Sequence, residues 1–172
     1  MLKEPRSPAR PVASAPGMES YRVILKYWGL VVVWMVVISS LSTEPFSAAN
    51  TNKYLDPMLR FFFPNLTAAG FVRAHWLIRK AAHLTEFFVL GSLAFWASRR
   101  GRAPRWRAAW MCQALALSIT YALLDEVHQA FVPHRTASLV DSSIDGLGAV
   151  TSQVVIYLRH LILNCFAALR RA

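Results

Sequence analysis

The chain has 172 residues, of which 55% are hydrophobic and only 16% charged, and its mean hydropathy is +0.35. That is the size of one domain, with too few charges to coat a soluble one, so a small helical membrane protein is the natural class. A net charge of +10 would suggest nucleic acid in a soluble protein. Here the basic residues flank apolar runs instead of forming a stripe, so topology and anionic lipid headgroups account for them and no nucleic-acid partner is expected.

Residues 1–20 are rich in Pro, Ala, Ser and Arg and contain no apolar run, which predicts a disordered tail. No cleavable signal peptide is visible. Residues 23–41 form the first apolar segment, with Lys26 placed to snorkel from its start. A long connection follows over 42–80, with Pro45, Pro57, Pro64 and the run Phe61, Phe62, Phe63. Prolines at those spacings argue against a crossing helix, while the phenylalanines suit a segment lying in the interface. Residues 81–98 form the second apolar segment, interrupted by His83 and Glu86; 108–124 the third, without a charge; and 142–158 the fourth, whose one acid is Asp145. Each is near the short end of the roughly 17 to 25 residues needed to cross a bilayer.

The expected fold is therefore all-α: an integral membrane bundle of four transmembrane helices over 21–165, with an interfacial segment between helices one and two and a short basic tail at 166–172. Trp28, Trp34, Trp76, Trp96, Trp106 and Trp110 fall mostly near segment ends, as interfacial anchors do. Cys112 and Cys165 have neither disulfide nor metal-ligand spacing and read as buried apolar residues.

With four crossings, 13 of the 19 lysines and arginines fall on the side of the termini and of the loop 99–107, and six on the other. Cytoplasmic loops carry the excess, which predicts a cytoplasmic (inner) membrane protein with both termini in the cytoplasm. Among the acids, Glu4 and Glu19 stay inside, whereas Glu44, Asp56, Glu86, Asp125, Glu126, Asp141 and Asp145 fall outside.

That order brings Ser39, Ser40, Lys80, His83, Glu86, Asp125, Glu126, Gln129, Asp141 and Asp145 to one membrane face. Lys80, His83 and Glu86 are successive i, i+3 neighbours; Tyr121, Asp125 and Gln129 step by four, as do Asp141 and Asp145, so each set shares a helix face. His83, Glu86, Asp125, Glu126 and Asp145 are the candidates for proton-transfer chemistry, and Lys80, Gln129, Arg135 and Asp141 for ligand binding. The bland alternative is an ion-paired clamp that fixes the helices. A histidine among carboxylates would also suit magnesium, calcium or manganese, but no spacing here is metal-specific, and no metal is assigned. His128 and His134 read as exposed loop residues. Gly146 and Gly148 read as sites of close helix packing.

The patterns K-x-x-H-x-x-E-F at 80–87, D-E-x-x-Q-x-F-V-P-x-R at 125–135 and D-x-x-x-D-x-x-G at 141–148 together resemble the VanZ-like family of membrane proteins, over roughly 28–158. His134 departs from the glycine of the family pattern. The family is named for a member linked to low-level teicoplanin resistance. The resemblance implies a role in the cell envelope; the polar cluster is read as a pocket that binds or modifies an amphiphilic or lipid-linked envelope molecule, with membrane lipids as partners and an effect on glycopeptide susceptibility. It implies neither a cofactor nor an oligomeric state. A non-enzymatic protein whose polar cluster locks the bundle is the alternative.

Overall fold

A computed structural model describes residues 16–46, 48–100, 106–133 and 138–170, and every regular element among them is helical. The helices are α1 (Pro16–Leu41), α2 (Ala48–Phe62), α3 (Ala68–Arg99), α4 (Ala108–Ala130) and α5 (Leu139–Leu169), with a single 3-10 turn, Glu44–Phe46, before α2. Most of the expected tail, with Arg135, His134 and the middle of the loop 99–107, lies outside the described residues.

α1, α4 and α5 contain stretches long and apolar enough to cross a membrane: Ile24–Leu41, Ala108–Ala130 and Leu139–Leu169. The expected second span, 81–98, lies in α3, which is not among these three because His83 and Glu86 interrupt its apolar half. α3 also starts well before residue 81. Thr67 caps it, its side chain accepting from the Gly70 N–H at 3.1 Å, and the helix ends at Arg100, left-handed at φ 49°.

Side-chain pairings fix the helix directions. Lys80 meets Asp141, His83 meets Asp145 and Gly91 meets Gln153, so α3 and α5 run parallel. Met35 and Ser39 meet Tyr121 while Ser42 meets Asp125, so α1 and α4 also run parallel. Trp34 donates to the Glu86 carbonyl at 2.9 Å, and Ser42 shares a cavity wall with Arg79 and His83, so α1 opposes α3. The acidic residues of α3, α4 and α5 therefore gather at one end, beside the C-terminal end of α1.

The packing inverts a soluble protein. Ser118, Gln129, Asp145, Ser152 and Gln153 are buried, whereas Leu30, Val32, Val33, Val36, Val154, Val155 and Leu158 are exposed. An apolar exterior of that extent suits lipid, where helix contacts are made by small and hydrogen-bonding residues instead of by exclusion of oil from water. Gly148 illustrates the closeness: a Cβ there would come within 2.3 Å of the Leu84 carbonyl oxygen, whereas one at Gly146 would meet nothing within 4 Å. Close packing therefore belongs to Gly148 and, unexpectedly, to Gly91, which faces Ser152.

The same inversion corrects the cysteines. Cys112 and Cys165 are exposed, on helix faces that also expose Leu and Val. Apolar residues of a membrane helix need not be buried in protein. Trp110 departs in the other direction: it is buried edge-on against Phe95, ring centroids 6.2 Å apart, and is not an interfacial anchor.

Within the long connection α2 runs through Pro57, which removes a helix hydrogen bond at a cost of about 3 kcal/mol in an ordinary interior. Contacts with α3 offset it. Asp56 pairs with His75 at 2.6 Å, Arg60 stacks over Phe71, and Leu59 is buried. Tyr54, Phe61, Phe62 and Phe63 remain exposed.

Candidate functional site

At the acidic end, parallel α3 and α5 set two pairs in register. Lys80 binds Asp141, and one turn deeper His83 Nδ1 lies 3.1 Å from Asp145 Oδ1. The i, i+3 step of one helix thus meets the i, i+4 step of the other. Asp145 is fully buried; a carboxylate there needs a partner, and among the described residues His83 is the one it has.

α4 contributes the next layer. Asp125 accepts from Ser42 Oγ at 2.8 Å and from Gln129 Nε2 at 2.7 Å, both on Oδ2. Glu126 accepts the Ser138 backbone N–H at 2.6 Å, so its carboxylate ties the start of α5 to the end of α4. Tyr121, one turn earlier, donates to the Met35 carbonyl at 2.5 Å and contacts Ser39 at 2.7 Å.

Among the described residues, Asp125, Glu126 and Asp145 each keep one carboxylate oxygen without a partner. Asp125 Oδ1, Glu126 Oε1 and Asp145 Oδ2 are all buried and unbonded. Their charges interact with one another and with His83. Lys80 stands at the rim of this field. Burial, and then neighbouring Arg79, hold its ammonium below the ordinary lysine value, while Glu126 and Asp145 pull it upward. Among the described residues no group of three or more His, Cys, Asp or Glu side chains is arranged to hold a metal ion.

Beside the cluster a cavity of about 160 Å³ opens between the end of α1, α2 and α3. His83, Glu86, Arg79 and Ser42 supply its polar wall, and Phe46, Leu55 and Ile78 its apolar one. A polar floor under apolar sides suits a molecule with a charged head and a greasy tail.

A family model described as VanZ/LLP1 matches residues 27–162. The chain belongs to the VanZ/LLP1 family. Comparison with curated proteins and with solved structures finds no match. The matched range holds every candidate residue of this VanZ-like membrane protein, from Lys80 through Asp145.

Of the residues singled out in the sequence, the structure brings together Lys80 with Asp141, His83 with Asp145, and Asp125 with Gln129. Glu126 sits beside them, bonded to Ser138, and Glu86 lines the cavity. Arg135 lies outside the described residues. His128 belongs to the last turn of α4 and is exposed. Ser42 and Arg79 were legible only as members of polar runs, S-S-L-S-T at 39–43 and R-K at 79–80. The Ser138 contact is made by backbone, which no residue type announces.

Proposed function

We propose that this VanZ-like protein is a four-span inner-membrane protein, both termini cytoplasmic, whose acidic and histidine-containing pocket faces the extracytoplasmic side. There it binds or modifies an amphiphilic or lipid-linked envelope molecule, with an effect on glycopeptide (teicoplanin) susceptibility. The alternating helix directions support four crossings, and the exposed aromatics of α2 suit a segment lying in the outer interface.

The observation that carries the pocket is the set of three buried carboxylate oxygens left unbonded among the described residues, on acids whose charges act on His83. A lock that merely holds helices together would satisfy them, because each buried acceptor without a partner costs about 1 to 3 kcal/mol. With Nδ1 donating to Asp145, His83 presents Nε2 for proton exchange with a ligand in the cavity, in concert with Glu126. Asp125 and Asp145 position these groups, Gln129 fixes Asp125, and Glu86 borders the ligand. Arg79, and Arg135 on the following loop, engage an anionic head. For Lys80 and Asp141 their mutual ion pair favours the structural alternative, a clamp at the rim.

Glu126→Gln and Asp145→Asn preserve shape and test the pocket directly. Cells expressing either variant should lose the glycopeptide phenotype while the purified protein keeps its unfolding temperature and abundance. An unchanged phenotype at normal abundance would remove the site; a phenotype lost in proportion to stability would establish the lock.

A further inference from the structure

At the end of the bundle opposite His83 and Asp145, the last turns of α3, the approach to α4 and the last third of α5 enclose a groove of about 280 Å³. Arg99, Arg159 and His160 line it, and no acidic residue does. Neither arginine has a salt bridge among the described residues. Two guanidiniums across one groove, unpaired among the described residues, suit the oxygens of an anion.

A second observation comes from Trp106 in the same wall. Its ring packs on Tyr157, centroids 4.8 Å apart, and its Nε1–H is buried with no acceptor. Indole N–H groups normally find a partner when buried, so Trp106 has a donor to offer beside the groove. The remaining walls are apolar: Phe95 is buried, and Leu163 continues onto the exposed, apolar flank of α5. Free phosphate has no use for such a flank, whereas an acyl chain does.

We propose that this groove binds one anionic phospholipid. Arg99 and Arg159 hold its phosphate oxygens, Trp106 donates to the headgroup, and a chain lies along α5 past Leu163. The proposal needs the protein to sit in a bilayer but is independent of any activity at the acidic end.

Full-length protein purified in neutral detergent is titrated with phosphatidylglycerol, phosphatidylcholine or inorganic phosphate, and bound molecules are counted by native mass spectrometry. Phosphatidylglycerol should be retained as one molecule per chain, phosphatidylcholine should not, and phosphate should fail to displace the bound lipid. Arg99→Gln combined with Arg159→Gln should weaken lipid retention about tenfold or more. Trp106→Phe, which keeps the ring and loses the donor, should weaken it several-fold, and Arg170→Gln, a basic change outside the groove, should have no effect. Equal retention by wild type and the double variant, or an equal loss from Arg170→Gln, would overturn the site. Displacement of the lipid by phosphate would overturn its identification as a lipid site. Should the double variant lose its helical circular dichroism, Trp106→Phe decides alone, and full retention by it overturns the proposal.

Discussion

His83 and Asp145 meet across two parallel helices, Nδ1 to Oδ1 at 3.1 Å, and among the described residues Asp145 has no other bonded partner for its fully buried carboxylate. The pair is asymmetric in its dependence: histidine can face the cavity alone, but the aspartate cannot sit unpaired in an apolar seam.

His83→Leu should therefore lower the unfolding free energy by about 3 kcal/mol or more, since it leaves a buried acid uncompensated. Adding Asp145→Leu should recover most of that loss. Denaturant unfolding in detergent of the two single variants and the double variant measures the coupling. Strict additivity would mean that the two side chains do not support one another.

Ser42 should matter more than Ser40 in the same polar run. Its hydroxyl donates to buried Asp125, whereas Ser40 bonds only the Val36 carbonyl of its own helix. Ser42→Ala should cost about 1 to 2 kcal/mol, and Ser40→Ala less than about 0.5. Thermal unfolding of the two variants side by side checks the order, and equal losses would contradict the assignment.

Gly148→Ala should be destabilising by about 1 to 3 kcal/mol, because the new methyl meets the Leu84 backbone 2.3 Å away and backbone cannot swing aside. Gly146→Ala meets open space and should be neutral or slightly stabilising through helix propensity. The two substitutions are chemically identical, so the difference in unfolding temperature isolates the α3–α5 seam.

The acidic end was legible in the sequence because two simple periodicities act together. Helical spacing puts Asp141 with Asp145 and Lys80 with His83 on common faces, and alternating helix directions bring the acidic ends to one side. What sequence could not supply is the direction in which apolar residues face. In lipid, hydrophobicity no longer marks the interior, so Cys112 and Cys165 turn outward while Ser152 and Gln153 turn in. Gln153 is the clearest case. It bonds the Gly91 carbonyl at 2.9 Å in mid-bundle, although nothing in a run of T-S-Q-V-V distinguishes it from a surface glutamine. Helix extent was the other gap: α2 continues through Pro57 because α3 contacts hold it, a tertiary effect that local propensity omits.

The proposed extracytoplasmic placement of the acids is tested most directly by single-cysteine labelling, with Cys112 and Cys165 changed to serine. Phe131→Cys lies at the exposed C-terminal end of α4 beside Glu126, and Arg100→Cys at the exposed end of α3 on the opposite side of the bundle. A membrane-impermeant maleimide added to intact cells should label Phe131→Cys and should reach Arg100→Cys only after permeabilisation. Labelling of Arg100→Cys from outside, with Phe131→Cys protected, would put the carboxylates on the cytoplasmic side and contradict an extracytoplasmic pocket.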